Sequence, residues 1–221
     1  MGLAGGFYPA PHRYQLYLSE GCPCSLRISI TLDLLGLRDS VATTLLALPT
    51  ESTDTSQTPA PFTALRSAYE ATWHHYDGPL IAPALCDRWS GRIVSNHTPD
   101  ILRDLAGLLT GREDACLPRL HPPALAADID AFRELLDRDV TSTARPEVLS
   151  ATLDRLNRQL ASHTYALGDA LTAADVDLWV ALAQLEAPDA LCGYDRLQAY
   201  VRRLDAHTAF TRPSRADARQ T

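Results

Sequence analysis

The sequence predicts two domains, an α/β domain in the first half of the chain and an all-α domain in the second. Strand-like and helix-like stretches alternate up to residue 110, whereas apolar residues recur only at helical spacing after residue 122. Residues 111–123 lie between these patterns and have the proline content of a linker. We therefore predict domains over residues 1–110 and 122–210, and a flexible polar tail over residues 211–221.

The first domain begins with a predicted strand–helix–strand unit. Residues 13–18 alternate and are rich in Tyr and Leu, which predicts a strand. Residues 23–35 place apolar side chains on one helix face, and the following Gly36 is a natural helix end. Residues 40–46 predict a second strand, which a right-handed helical crossover would place parallel to the first.

The rest of this domain predicts a strand hairpin between two helices. Residues 49–61 are rich in Ser, Thr and Pro and indicate a surface loop, whereas residues 62–74 favour a short helix. Residues 80–87 and 92–94 are strand-like and are separated by a short loop that contains a glycine. With a further helix over residues 99–109, we expect a four-stranded mixed sheet with flanking helices.

The second domain shows the apolar stripes of several helices. The first three stripes are formed by Ile129, Phe132 and Leu136, by Leu149, Leu153, Leu156 and Leu160, and by Val176, Trp179 and Leu182. Residues 172–175 have the pattern of a capping box before the third stripe, so we interpret Asp175 as structural. Residues 196–207 predict a last helix.

Composition excludes several classes of partner. Of 221 residues, 46% are hydrophobic and 21% are charged, which is typical of a globular protein. The net charge of −7, with no basic cluster, argues against binding to nucleic acid or anionic membrane surfaces. No apolar run approaches membrane-spanning length, and the first residues lack the pattern of a secretory signal, so we expect a cytoplasmic protein. All 20 basic residues are Arg, which hints at a bacterial genome of high GC content.

The five cysteines do not suggest a disulfide scaffold or a zinc site. Their number is odd, their spacing is scattered and no metal-ligand pattern accompanies them, so we predict no metal. Cys86, Cys116 and Cys192 are interpreted as small buried hydrophobic residues. The adjacent His74 and His75 are expected to hold their rings apart. Together with the nearby aromatic residues, they indicate either a pocket or a solvent-facing loop.

Cys22 is the candidate nucleophile. It follows a predicted strand and precedes Pro23, which suits the first position of a helix because its missing N–H costs nothing there. Cys22 is then the N-cap residue, facing unpaired amides and the positive end of the helix dipole. That environment favours the thiolate and lowers the pKa of a cysteine. We therefore predict sulfur chemistry at this residue.

Three stretches resemble a known family. Residues 14–27 read Tyr-Gln-Leu-Tyr-Leu-Ser-Glu-Gly-Cys-Pro-Cys-Ser-Leu-Arg, and residues 81–87 read Ile-Ala-Pro-Ala-Leu-Cys-Asp, followed by Ile-Val-Ser-Asn-His-Thr at residues 93–98. Residues 165–175 read Tyr-Ala-Leu-Gly-Asp-Ala-Leu-Thr-Ala-Ala-Asp. In this order the motifs resemble the glutathione transferase superfamily, in particular its omega/Xi-like branch of glutathionyl-hydroquinone reductases.

The resemblance implies a fold, an activity and a set of site residues. It implies a thioredoxin-like domain followed by a helical substrate domain, and a thiol-dependent transferase or oxidoreductase in which Cys22 is catalytic. Cys22 would perform thiol transfer or reductive deglutathionylation of a small electrophile, such as an aromatic or quinone-derived compound. The residues implied in binding the cosubstrate are Cys24, Arg27, Ala82, Pro83, His97 and Thr98, with a cis peptide bond at Ala82–Pro83. A homodimer is also compatible with the resemblance.

One departure from the family concerns the cosubstrate. The Glu-Ser pair that binds the γ-glutamyl end of glutathione is replaced by His97 and Thr98. Thr98 still offers a hydroxyl and a helix N-terminal amide to a carboxylate, whereas His97 offers no anion to an ammonium group. We therefore expect glutathione or another low-molecular-weight thiol as cosubstrate.

Two alternative functions are kept open by the residues. In the first, a biosynthetic tailoring enzyme uses a thiol other than glutathione for conjugation or isomerisation, and Cys22 only positions that thiol. In the second, the protein retains the fold for binding after the thiol site has decayed. Titration of Cys22 well below an ordinary thiol would favour an enzyme.

Overall fold

The computed structural model describes residues 10–47, 60–107, 117–185 and 190–210. The chain divides into two compact units, Met1–Asp114 and Ala115–Thr221. Most of the predicted loop over residues 49–61, part of the predicted linker and the predicted tail over residues 211–221 lie outside the described residues.

The first unit contains a four-stranded mixed sheet, as predicted. Its strands are β1 (Tyr14–Ser19), β2 (Ala42–Leu46), β3 (Ala84–Asp87) and β4 (Arg92–Ser95), in the order β2-β1-β3-β4. β1 pairs in parallel with β2 and antiparallel with β3, which pairs antiparallel with β4. The described helices of this unit are α1 (Pro23–Leu34), α2 (Ala60–Thr72) and α3 (Thr98–Gly107).

Helix α1 is buried over more of its surface than its predicted single face. Ile30 and Leu34 are buried, but Ile28 and Leu32 are also completely buried, whereas Leu26 is only half-buried. Buried side chains therefore lie around much of the helix.

The third strand begins later than the sequence predicts. Residues 80–83 are not part of β3, which begins at Ala84. Pro83 has no N–H to donate to a neighbouring strand, so pairing starts after it. The Ala82–Pro83 peptide bond is cis, which confirms the expectation for this position.

The sheet topology gathers three segments at one end of the sheet. β1 ends at Ser19, and Tyr17 pairs with Ala84 at the start of β3, so residues 81–83 lie beside the end of β1. β4 runs antiparallel to β3, so the residues that follow it, 96–98, lie at the same end. Three segments therefore meet at the end of the sheet next to Cys22: the turn from β1 to α1, residues 81–83 and residues 96–98.

The second unit is helical throughout its described elements. These are α4 (Ala126–Asp139), α5 (Pro146–Gln159), α6 (Ala173–Ala183) and α7 (Asp195–Asp205), with short 3-10 turns at Pro123–Leu125 and Thr208–Phe210. The sequence predicts one apolar stripe on α6, but residues 173–182 are all buried. α6 is therefore the central helix of this unit.

Asp175 has the structural role that the sequence predicts. It completes a capping box with Thr172 at the start of α6, and it is fully buried. Its carboxylate accepts hydrogen bonds from the Ala166 N–H at 2.8 Å, the Thr172 N–H at 2.8 Å and the Tyr200 hydroxyl at 2.7 Å. This one side chain ties α6 to α7 and to the loop that precedes the helix.

Among the described residues, none of the helices is both long and apolar enough to cross a membrane.

Candidate active site

The turn between β1 and α1 presents Cys22 at the start of a helix. Gly21 has φ +68°, in the left-handed region that a residue without Cβ adopts readily. The Cys22 N–H donates to the Ser19 carbonyl at 3.4 Å, which closes the turn. Cys22 has extended backbone angles and is the N-cap residue of α1, with Pro23 in the first turn. The N-cap position predicted for Cys22 is confirmed.

Hydrogen-bond donors surround the Cys22 sulfur. The first intrahelical bond runs from the Leu26 N–H to the Cys22 carbonyl at 3.0 Å, so the earlier amides of the turn are available to the sulfur. The groups near the Cys22 sulfur that favour its thiolate are the Cys24 thiol, the N–H and hydroxyl of Ser25, and the N–H of Cys24. Together these groups lower the pKa of Cys22 to about 5. The Cys24 thiol contributes most, Ser25 and the Cys24 amide contribute less, and partial burial acts in the opposite direction. Cys22 is therefore a thiolate at neutral pH.

Ser25 is a further part of this site, which the sequence motifs do not single out. Its side chain is buried, and its hydroxyl accepts a hydrogen bond from the Ser19 N–H at 2.9 Å while it donates to the Cys22 sulfur. The same hydroxyl thus fixes the end of β1 and stabilises the thiolate. Its position, three residues after the N-cap, was the available signal, because groups at that position face the cap residue.

Cys24, Thr98 and Arg27 form a second group beside Cys22. The hydrogen bond to Cys22 and partial burial raise the pKa of Cys24 well above its usual range. The Thr98 hydroxyl, which hydrogen-bonds Cys24, and the charge of the buried Arg27 act in the opposite direction. The structure therefore brings together four of the predicted site residues, and in the reduced site Cys24 is a neutral thiol.

Tyr69 of α2 links the other two segments of the site. Its ring is buried, and its hydroxyl donates to the Ile81 carbonyl at 2.9 Å and accepts from the Asn96 side-chain amide at 3.1 Å. Ile81 precedes the Ala82–Pro83 peptide, and Asn96 precedes the His97–Thr98 pair. One hydroxyl therefore sets the spacing between the two segments that contain the remaining predicted site residues.

The surrounding aromatic residues form a packed cluster. The ring centroids of Tyr69, Trp73 and Tyr76 are separated by 4.9–5.7 Å, and Tyr69 belongs to the core of the first unit. The expectation that the His74 and His75 rings lie apart is wrong, because their centroids are 3.9 Å apart. Among the described residues, no group of three or more His, Cys, Asp or Glu side chains could hold a metal ion.

His97 is the most exposed of the predicted site residues. Its side chain is 65% exposed, and its Nδ1 lies 3.0 Å from Oδ2 of Asp100, in the first turn of α3. Asp100 also pairs with Arg103 at 3.0 Å. The acidic group nearest to His97 is thus already engaged by two side chains.

The remaining cysteines differ from one another. Cys86 is buried in β3, and burial together with the nearby Asp87 raises the pKa of its thiol to about 11. Cys192 is exposed, so its predicted burial is wrong. It lies in a turn that precedes α7, outside the apolar stripes. Cys116 lies outside the described residues.

Comparisons with known proteins agree with this architecture. The family model described as the glutathione S-transferase C-terminal domain matches residues 122–203. The chain is 27% identical over 212 residues to the glutathionyl-hydroquinone reductase YqjG of Escherichia coli, which covers 82% of this chain and 62% of that protein. It is 28% identical over 210 residues to the glutathionyl-hydroquinone reductase PcpF of Sphingobium chlorophenolicum, with coverages of 84% and 66%.

Solved structures show the same fold. The Xi glutathione transferase of Phanerochaete chrysosporium matches with a TM-score of 0.72 and 24% identity, over 96% of this chain and 84% of that one. The glutathione-bound structure of YqjG from Escherichia coli matches with a TM-score of 0.71 and 24% identity, over 93% and 77%.

A thioredoxin-like sheet with a Cys-Pro turn and a helical second unit define the glutathione transferase fold. The chain resembles proteins of the glutathione transferase superfamily, whose C-terminal domain model matches residues 122–203. Within it, the chain resembles the omega/Xi-like branch that includes the glutathionyl-hydroquinone reductases, which confirms the resemblance found in the sequence. The chain spans 62% and 66% of the length of the two curated relatives.

Proposed function

We propose that this protein is a thiol-dependent enzyme that removes glutathione reductively from small electrophile-derived conjugates, with Cys22 as the nucleophile. The observation on which the proposal depends is the group of donors around the Cys22 sulfur, which lowers its pKa to about 5. The thiolate is the reactive form of cysteine in sulfur exchange. Two relatives named glutathionyl-hydroquinone reductases support a conjugate of a quinone-derived aromatic compound as substrate and glutathione as cosubstrate.

The proposed reaction has two sulfur-exchange steps. The Cys22 thiolate attacks the sulfur of the conjugate, so that an S–S bond forms and the bond from sulfur to the aromatic carbon breaks. The electron pair of that bond goes to carbon, which takes up a proton. A thiol then attacks the mixed disulfide and releases Cys22. With glutathione as this thiol, the conjugate and one glutathione give the free hydroquinone and one oxidised glutathione.

The three segments at the sheet end supply the proposed cosubstrate site. Ala82 precedes a cis proline next to the end of β1, where its backbone can pair with the peptide part of glutathione. Thr98 begins α3, and its backbone amide can receive a carboxylate, while its hydroxyl is directed at Cys24. Cys24 and Arg27 lie beside them, and His97 lies at the exposed rim. These assignments are our proposal for the predicted cosubstrate residues.

The alternative functions have less support. A site that had decayed would not need four donor groups directed at one sulfur, and two of those donors come from side chains. Conjugation or isomerisation would need Cys22 only as a neutral donor to a cosubstrate thiol, whereas the lowered pKa favours a nucleophile.

Two further proposals concern the setting of the enzyme. A cytoplasmic location is consistent with a thiolate that must stay reduced, because thiols persist in that compartment. A bacterial source and a homodimer remain predictions. Light scattering on the purified protein tests the oligomeric state.

Turnover of a glutathionyl-hydroquinone conjugate in excess glutathione tests the proposal. Chromatography should show free hydroquinone and oxidised glutathione in equal amounts. We expect Cys22→Ser to lose this activity, whereas Cys192→Ser, which changes an exposed cysteine of the second unit, should retain it. Circular dichroism checks that both variants are folded. Undiminished turnover by Cys22→Ser, or none by the natural protein, would rule out the assignment.

A further inference from the structure

The active-site turn contains a second cysteine within reach of the first. Cys22 is the N-cap and Cys24 follows it by two residues, with the helical Pro23 between them. Two 3.8 Å steps across one helical residue keep such Cα atoms about 5.5 Å apart, inside the range of about 4.4–6.8 Å that a disulfide requires. Both side chains are half-buried, and Cys24 is the main cause of the lowered pKa of Cys22, so the two thiols are neighbours in the turn. The Cα spacing therefore permits a disulfide between them.

The surroundings of Cys24 depend on the state of Cys22. In the reduced site, the hydrogen bond to Cys22 and its negative charge both keep Cys24 protonated. When Cys22 becomes part of a disulfide, its charge disappears and its sulfur is a poor acceptor. The Thr98 hydroxyl and the Arg27 guanidinium remain, and both favour the Cys24 thiolate. Cys24 thus becomes a better nucleophile only after Cys22 has reacted.

We propose that Cys24 is the resolving cysteine, which attacks the mixed disulfide on Cys22 and forms an intramolecular Cys22–Cys24 disulfide. This inference rests on the proposed function of Cys22. In the step, the Cys24 thiolate attacks the Cys22 sulfur, an S–S bond forms within the protein, and the bond to the glutathione sulfur breaks. The released glutathione thiolate takes up the proton that Cys24 gave up.

The consequence is a dithiol cycle. One molecule of glutathione leaves for each conjugate, and the protein holds the two oxidising equivalents as a disulfide. Two electrons and two protons from a dithiol, or from two monothiols, then restore Cys22 and Cys24. The protein would therefore act as a dithiol–disulfide reductase that does not need glutathione for the resolving step.

The reduced full-length protein, treated with one equivalent of oxidised glutathione, provides the test. After the remaining thiols are trapped with N-ethylmaleimide, intact and peptide mass spectrometry identify the state of Cys22. A neighbouring thiol acts at an effective concentration of at least about 1 mM. Each protein releases two glutathiones in the two steps, so about 10 µM protein gives about 20 µM glutathione, roughly a fiftieth of that concentration. The natural protein should therefore contain the Cys22–Cys24 disulfide, with mixed disulfide lower than in Cys24→Ser by a factor of up to about fifty.

The control variants separate this inference from the proposed function. Cys24→Ser keeps a hydrogen-bond donor of similar size and should accumulate one glutathionyl group on Cys22, whereas Cys192→Ser should behave as the natural protein does. Equal accumulation of mixed disulfide in the natural protein and in Cys24→Ser would overturn the role of Cys24 and leave Cys22 as the nucleophile. No reaction at Cys22 in any variant would overturn both proposals.

Discussion

Removal of the Ser25 hydroxyl should raise the pH at which Cys22 becomes reactive. In the natural protein this hydroxyl is one of the side-chain donors to the Cys22 sulfur, whose pKa is about 5. A hydrogen bond to a charged group contributes about 1.5–3 kcal/mol, and one pKa unit corresponds to about 1.4 kcal/mol. Ser25→Ala should therefore move the midpoint from about 5 to about 6–7, because the other donors remain.

The pH of the assay decides whether the low pKa can be detected. At pH 7 an ordinary cysteine of pKa about 8.5 is about 3% thiolate. The thiolate fraction of a fully ionised Cys22 is therefore only about 30-fold larger. A thiolate of lower pKa is also less nucleophilic, by about 40-fold over 3.5 units, so the two effects cancel near neutrality. At pH 5 the ionisation gain is about 1,600-fold, which leaves Cys22 about 40-fold faster than an ordinary cysteine. A rate measured only at pH 7 would therefore miss the effect.

The assay is thiol–disulfide exchange with hydroxyethyl disulfide between pH 4 and pH 9. Loss of the free Cys22 thiol is followed by peptide mass spectrometry after maleimide trapping. Ser29→Ala is the matched control: it is the same substitution one turn further along α1, where the hydroxyl accepts a hydrogen bond from Arg38 at 2.6 Å on the exposed surface. We expect its midpoint to equal that of the natural protein.

Two results would refute this reasoning. One is a midpoint between 8 and 9 for the natural protein, and the other is an equal shift in Ser25→Ala and Ser29→Ala. Ser25→Ala also leaves the Ser19 N–H without its acceptor, which should lower the free energy of unfolding by about 1–3 kcal/mol. Thermal unfolding of each variant shows that the pH profile belongs to folded protein.

Three further predictions concern the first unit. Tyr69→Phe keeps the ring but removes the hydroxyl that links two segments of the site. We expect the free energy of unfolding to fall by about 1–3 kcal/mol and the KM for glutathione to rise. An unchanged KM would contradict the positioning role of this hydroxyl. His97→Glu introduces an anion for the glutathione ammonium group, so calorimetry should show glutathione binding that is about ten- to a hundredfold tighter. Tight binding by the natural protein, with no gain from the substitution, would refute the idea that His97 weakens glutathione binding. The hydrogen bond from Arg13 lowers the pKa of Asp87, so this carboxylate stabilises the fold above the unfolded pKa of about 4, and the contribution is lost as pH falls through the folded pKa. Thermal midpoints between pH 7 and pH 2 should therefore fall further for the natural protein than for Asp87→Asn, and parallel curves would contradict this.

The sequence identifies the features of the molecule that have a local chemical signature. Cys22 was predicted as an N-cap because Pro23 marks the first turn of a helix, and the structure has this arrangement. Ala82–Pro83 was predicted to be cis from its place in a family motif. The capping role of Asp175 was likewise visible from Thr172, three residues earlier. In each case the informative partner lies within three residues in the chain.

The parts that the sequence does not identify depend on partners distant in the chain. The Tyr69 hydroxyl contacts Ile81 and Asn96, which are 12 and 27 residues away, and nothing around Tyr69 distinguishes it from a core aromatic residue. The complete burial of α6 was missed for a related reason. Periodicity shows which side of a helix is apolar, but Ala173 and Ala174 are neutral in that pattern and become buried only because other helices surround them.

The same distinction explains why the resolving role of Cys24 could not be inferred from spacing alone. Two cysteines separated by one residue do not match the common redox spacing, and in the middle of a strand their side chains would point to the same face without a shared helix end. Here Cys22 is extended and Pro23 is helical, so both cysteines lie at a helix N-terminus, where Cys24 is the main cause of the lowered pKa of Cys22. Thr98, which arrives from α3, then supplies the hydrogen bond that remains after Cys22 has reacted. The chemistry of the pair thus follows from a local change in conformation together with one contact made by the fold.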